Sequence, residues 1–241
     1  MQAFLLRSML VVLLLLVGLI AFMLLYLLRR AALERRNTRW RVHFSSLIQR
    51  AIDWEGAEGD RLPVTFRASR SLKRPAARQL LIAELITGKR ALSGSAGANL
   101  VRLYSQLGLG ADSLRKLASP AWHRQAQGVQ ELALMEQRNQ VARIYRLTNA
   151  PNEIIRTEAQ AAIVQLYGFE GLRFLDVLVR PLSEWQQIHL LRLLSRTPGT
   201  PSGKLREWLR STNPTVRDFA RKLTAEHHLE DMLDEEIQQT E

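Results

Sequence analysis

Five histidines, His43, His123, His189, His227 and His228, are the first residues to test for chemistry, because imidazole carries protons near neutral pH and ligates metals. No two of them stand in the H-E-x-x-H spacing that sets both rings on one helical face. Glu226-His227-His228-x-Glu230-Asp231 is the one metal-like cluster, and adjacent residues on a helix point about 100° apart, so it reads as a solvated face. Ser93-Gly94-Ser95-Ala96-Gly97 misses the G-x-S-x-G spacing of a nucleophile elbow and reads as a turn. Gly108-Leu109-Gly110 lacks the later glycine of a dinucleotide site, and Gly88-Lys89 lacks the rest of a P-loop. With no cysteine in the chain, disulfides, thiolate nucleophiles and cysteine-held zinc or iron–sulfur sites are excluded. These residues predict a protein that is not an enzyme, with no catalytic, cofactor or metal site and no small-molecule substrate.

Two residue types remain that could do binding. Trp122, Trp185 and Trp208 recur near helix ends, and as interface anchors they would form a partner-binding ridge; packing between helices is the alternative. Arg29, Arg30, Arg35, Arg36, Arg39 and Arg41 follow directly on an uncharged run, Ser8 to Leu28. Between residues 29 and 90, fifteen Lys and Arg stand against six Asp and Glu, so most of the net charge of +11 lies beside that run. This placement suits a domain held against anionic headgroups, whereas a nucleic-acid groove would spread its charge along the whole chain.

The elements that carry these residues follow from pattern. After a tail, 1–7, residues 8–28 reach about 30 Å as a helix, the hydrocarbon thickness of a bilayer. The run is longer than a signal-peptide core and ends in Arg29-Arg30, so it predicts a transmembrane helix. Only Arg7 precedes it, so the arginines behind it place the soluble part in the cytoplasm, at the inner membrane if the source is bacterial. Residues 29–53 form a basic amphipathic helix, with Trp40, Phe44, Leu47, Ile48 and Ala51 at helical spacing. That stripe would lie on the bilayer or a membrane partner, or pack on the first repeat; both readings stand. Residues 54–74, broken by Gly56, Gly59 and Pro63, read as a linker in which Leu62 to Phe66 pins the body that follows.

From 75 to 229 the chain repeats. Short leucine-rich segments end at Leu117, Leu147, Leu178 and Leu209, each followed by a turn bearing a proline and then a longer helix, at about 120–135, 152–166, 183–195 and 214–228. Ser119, Ser183 and Asn213 are expected N-caps, with Pro120 and Pro214 in first turns. Helices at about 75–87 and 96–107 precede them, with Gly88 and Gly108 as left-handed C-caps. The acidic end, 230–241, reads as a polar tail or cap. The expected fold is all-α: one N-terminal transmembrane helix and an α-solenoid of about four to five helical pairs.

Ile155-Arg156-x-x-Ala159 and Val216-Arg217-x-x-Ala220 resemble the V-R-x-x-A element of HEAT repeats, and the helix-turn-helix period agrees. The run from 147 to 191, LTNAPNEIIRTEAQAAIVQLYGFEGLRFLDVLVRPLSEWQQIHLL, is similar to bacterial HEAT-repeat (armadillo-like) proteins with an N-terminal membrane anchor. The resemblance implies that Arg156, Ala159, Arg217 and Ala220 are structural, and that the chain is a scaffold or adaptor for a protein partner. It points first to an envelope-polysaccharide glycosyltransferase as that partner. The competing expectation is a nucleic-acid-binding protein like the HEAT-scaffold DNA glycosylases, which would need a basic, aromatic-lined groove and a carboxylate facing the base.

Overall fold

The computed structural model describes residues 2–56, 60–195 and 203–227, with single positions 197 and 199. His228, Glu230, Asp231 and the acidic segment 230–241 lie outside the described residues, as does part of the 54–74 stretch. Every regular element among the described residues is helical. The first, α1 (Gln2–Ile52), is 51 residues long and unbroken, about 75 Å at 1.5 Å per residue. The boundary expected near residue 28 is therefore no boundary in the backbone, since no glycine or proline follows Gly18 to interrupt the helix before Ile52. Its Leu13–Ala32 stretch is long and apolar enough to cross a membrane, and none of it is buried.

The far half of α1 behaves differently. Trp40, Phe44, Leu47 and Ala51 are buried in one core with Leu81, Ile82 and Leu85 of α3 (Pro75–Ala91) and Leu100, Leu103 and Tyr104 of α4 (Gly94–Gln106). Of the two readings open for this stripe, the structure selects packing on the first helices of the body. The expected linker holds a short helix, α2 (Phe66–Ser71), whose Ala68 joins the same core. Leu62 is the pin: its side chain is buried, and the Gln106 carboxamide accepts from its N–H (2.8 Å) and donates to its carbonyl (2.9 Å). Phe66, at the other end of the expected pin, is exposed.

Beyond α4 the chain alternates short and long elements. The short ones are α5 (Gly110–Leu117), α7 (Val141–Tyr145), a 3-10 stretch (Gly168–Val177) and α10 (Leu205–Leu209). The long ones are α6 (Trp122–Leu134), α8 (Glu153–Tyr167), α9 (Glu184–Leu194) and α11 (Pro214–Glu226), starting 30 or 31 residues apart. Neighbours in this series pack on one another, α6 on α8, α8 on α9 and α9 on α11. Their buried faces include Val129 and Leu132, then Ala159 and Ile163, then Leu190 and Leu194, then Phe219 and Leu223.

Local chemistry sets the ends. Ser183 forms a full capping box with Gln186, Asn213 accepts from Thr215 N–H, and Asn152 accepts from Ile154 and Ile155. Gly108 closes α4 at φ +60. Three expectations need correction. Gly88 caps nothing: α3 runs on to Ala91, and Gly88 is instead where Leu100 passes, 2.9 Å from any added Cβ. Ser119 and Pro120 stand before α6 rather than in it, because the Ser119 hydroxyl takes Ala121 N–H and delays the helix to Trp122. The element before Leu178 is 3-10 rather than α, and Gly171 there lies against α8 so closely that a Cβ would meet Ile163 O at 2.6 Å.

Candidate functional site

A groove of about 250 Å³ runs across three long helices, lined among others by Gln130 and Ala133 of α6, Glu158 and Ala161 of α8, and His189 of α9. Arg90, near the end of α3, closes one side. The alanines matter because a methyl group lets another chain approach the helix backbone closely. At the α9 edge, the Trp185 ring stacks on His189 at 6.4 Å with an interplanar angle of 16°. Trp185 is 70% exposed, an unusual state for so large an apolar ring. It is the second residue of α9; Ile154 and Trp122, at the starts of α8 and α6, are exposed as well.

Trp208 does not join them. It is buried in the core formed with Phe169, Leu190 and Phe219, and its indole N–H donates to Asp176 Oδ1 at 2.7 Å. Its place in the expected ridge is therefore corrected to a structural one, and Leu205, Trp208 and Leu209 show why: the i, i+3, i+4 spacing puts all three on one buried side of α10. Burial pushes the Asp176 carboxyl up, but hydrogen bonds from Lys204 and Trp208 outweigh it and hold it below the ordinary value.

Arg156 and Arg217 do matching work. Each is the fourth residue of its helix and turns back to donate to the carbonyls of the preceding turn, Arg156 to Ala150 (2.8 Å) and Pro151, Arg217 to Ser211 (2.7 Å) and Thr212. Gln187 holds the same position in α9 and donates to Leu182 O. Ala159 and Ala220 are fully buried three residues after each arginine. Side chains also join consecutive turns: Asn149 donates to Val177 O and accepts from Val179 N–H, and Thr215 accepts from Leu182 N–H.

A polar cluster on α5 was not legible beforehand. Asp112 is buried and accepts from Arg78 of α3 and Arg115 of α5. Beside it, Tyr104 donates to Ser113 (2.8 Å), Ser113 to Glu131 (2.6 Å), and Lys116 and Gln127 also donate to Glu131. Burial, first of all, pushes the Tyr104 hydroxyl up to about 12, so it stays protonated as the donor of this chain. With both Asp112 oxygens taken by guanidinium groups, the carboxylate serves as their counter-ion rather than as a base. The spacing Asp112, Arg115, Lys116 hints at a polar helical face, but the partners Arg78 and Glu131 come from elsewhere in the chain.

Of the arginines after the apolar run, Arg29, Arg30, Arg35 and Arg41 are exposed; Arg30 pairs with Glu34 and Arg41 with Glu84, both at 3.1 Å. The side chains of Arg36 and Arg39 lie outside what is described. Among the described residues, no group of three or more His, Asp or Glu is placed to hold a metal ion. No family model matches this sequence, and neither a curated protein nor a solved structure matches it.

Proposed function

We propose that the protein is a single-pass membrane adaptor whose helical body recruits a protein partner at the cytoplasmic face. The observation that carries this is the groove across α6, α8 and α9 with Trp185 stacked on its edge, a small-residue floor beside an exposed aromatic anchor. A helix or extended segment of the partner would lie on Ala161 and Gln130 while Trp185 enters an apolar pocket of the partner. The body is, in this proposal, a HEAT-like α-solenoid of helical pairs. Its support is the 30- or 31-residue spacing of the long helices, the matching arginine bonds of Arg156 and Arg217, and the turn-to-turn bonds of Asn149. The Leu13–Ala32 stretch is the anchor, and the arginines behind it set the orientation. An envelope-polysaccharide glycosyltransferase is the first partner to test, on the strength of the resemblance alone.

A photo-crosslinking residue placed at 185 in the full-length protein, in native membranes, should give one reproducible adduct. The same probe at exposed Arg143, away from the groove, should not. Adducts of equal yield at both positions, or none at 185, would remove the groove as a docking site. Protease added to spheroplasts should leave the body intact; digestion from outside would reverse the orientation.

A further inference from the structure

The residues read as a linker build a second recess, and its chemistry differs from that of the groove. A cleft of about 470 Å³ lies between α1 and the α2–α3 corner, lined by Trp40 and His43 of α1 and by Arg70, Ser71, Lys73 and Arg74. Among the described residues, three Lys and Arg cations line it and no carboxylate does. Among the described residues, Arg70, Lys73 and Arg74 enter no ion pair, in contrast to Arg78, Arg115 and Lys116 a short way along the chain, whose charges are spent on Asp112 and Glu131. Their side chains are exposed rather than folded back on the protein, so the three charges together attract an anion that enters the cleft.

Position narrows the anion. Because α1 is continuous and its uncharged run ends at Leu28, Trp40 stands twelve residues, about 18 Å along the helix axis, beyond that run. Headgroups occupy roughly 5–8 Å outside each face of the hydrocarbon, and extended lysine and arginine side chains reach several ångströms further. Trp40, buried in the core of the body, forms the inner wall of the cleft.

We infer that this cleft is a binding site for the phosphate-bearing headgroup of an anionic phospholipid, held by Arg70, Lys73 and Arg74. Arginine presents a planar fork to phosphate oxygens and lysine a point charge, and both are in place here. The site orients the body on the membrane as well as tethering it. This rests on the reading of α1 as an anchor, and the test separates the two.

The full-length protein is placed in nanodiscs of phosphatidylcholine with and without phosphatidylglycerol, released, and examined by native mass spectrometry for retained lipid. Wild type should keep one phosphatidylglycerol per chain in preference to phosphatidylcholine. Three surface cations together are worth on the order of a hundredfold in affinity for anionic lipid, so Arg70→Gln/Lys73→Gln/Arg74→Gln should lose at least about tenfold of that preference. Its circular dichroism should be unchanged, since all three side chains are exposed. The single Lys73→Glu should show a smaller loss in the same direction. A control neutralising exposed Arg124, Arg143 and Arg146 should keep the preference. Equal retention by wild type and the triple variant would overturn the site. Equal displacement of the lipid by millimolar inorganic phosphate would overturn the lipid as its source. Release of the protein from native membranes by alkaline carbonate would instead sink the anchor reading, while selective binding of short-chain phosphatidylglycerol in detergent would still support the cleft.

Discussion

The two halves of α1 share one backbone and bury nothing in common. From Leu13 to Leu28 its leucines, valine, phenylalanine and methionine face outward, with Phe22 at 69% exposure, whereas Phe44, six turns further on, is wholly enclosed. The first half is apolar all round, so no side of it selects a protein neighbour; the second has one apolar stripe among charges and fits one face of α3 and α4. What differs is the pattern, and the pattern decides which solvent each half accepts. The tryptophans repeat the lesson on a smaller scale, with Trp208 sealed among leucines and Trp185 left outside a helix whose neighbouring residues are polar.

The sharpest way to break the comparison is to truncate both halves alike. Phe44→Ala should cost the body about 3–5 kcal/mol through the cavity it leaves, while Phe22→Ala should leave its unfolding unchanged. Denaturant unfolding of the detergent-solubilised protein, followed by tryptophan fluorescence, reads both; equal effects would mean the stripe is not core. Trp208→Ala should cost a comparable amount or slightly less, against at most about 0.5 kcal/mol for Trp185→Ala, which should act on crosslinking yield instead. Gln106→Ala leaves the Leu62 N–H and carbonyl without their partner and should cost about 1–3 kcal/mol, visible as faster amide exchange at Leu62.

The smallest effect concerns pH. The Asp176 carboxyl is depressed in the folded state, so its stabilisation is present above its unfolded value near 3.9 and is lost as pH falls through the lower folded value. Lys204 is raised by its hydrogen bond to Asp176, so its share is present below about 10.4 and lost above that. Melting temperature measured against pH should therefore fall less steeply in Asp176→Asn than in wild type both below pH 4 and above pH 10. Parallel curves would show that the pair contributes nothing measurable, as many exposed pairs do.

Features set by near neighbours in sequence could be read before the structure. The apolar stretch and the spacing of the long helices are patterns along a continuous run of sequence, and the Ser183 and Asn213 caps and the left-handed Gly108 depend on residues within one turn. Ser119 carries the side chain of an N-cap, but its hydroxyl accepts from Ala121 N–H and α6 begins only at Trp122. The α2 residues read as linker because six residues cannot show a period; only contact with α1 makes them a helix with a buried side. Arg78 with Asp112 and Ser113 with Glu131 join residues 34 and 18 apart, and nothing in their own segments marks them as partners. The groove needed three helices to be laid side by side before Ala161 and His189 could belong to one surface.

The unbroken run of α1 from its apolar stretch into the core makes it a keyed shaft rather than a tether. Each residue of an α-helix advances 1.5 Å and turns 100°, so one alanine inserted between residues 33 and 38 would swing the groove and the cationic cleft roughly a quarter-turn around the axis of the apolar stretch. Seven alanines would lift the body about 10 Å yet return it to within about 20° of its first bearing. Azimuth and height of the body relative to the apolar stretch can thus be varied separately, and the membrane-bound partner proposed above would be sensitive to the first before the second.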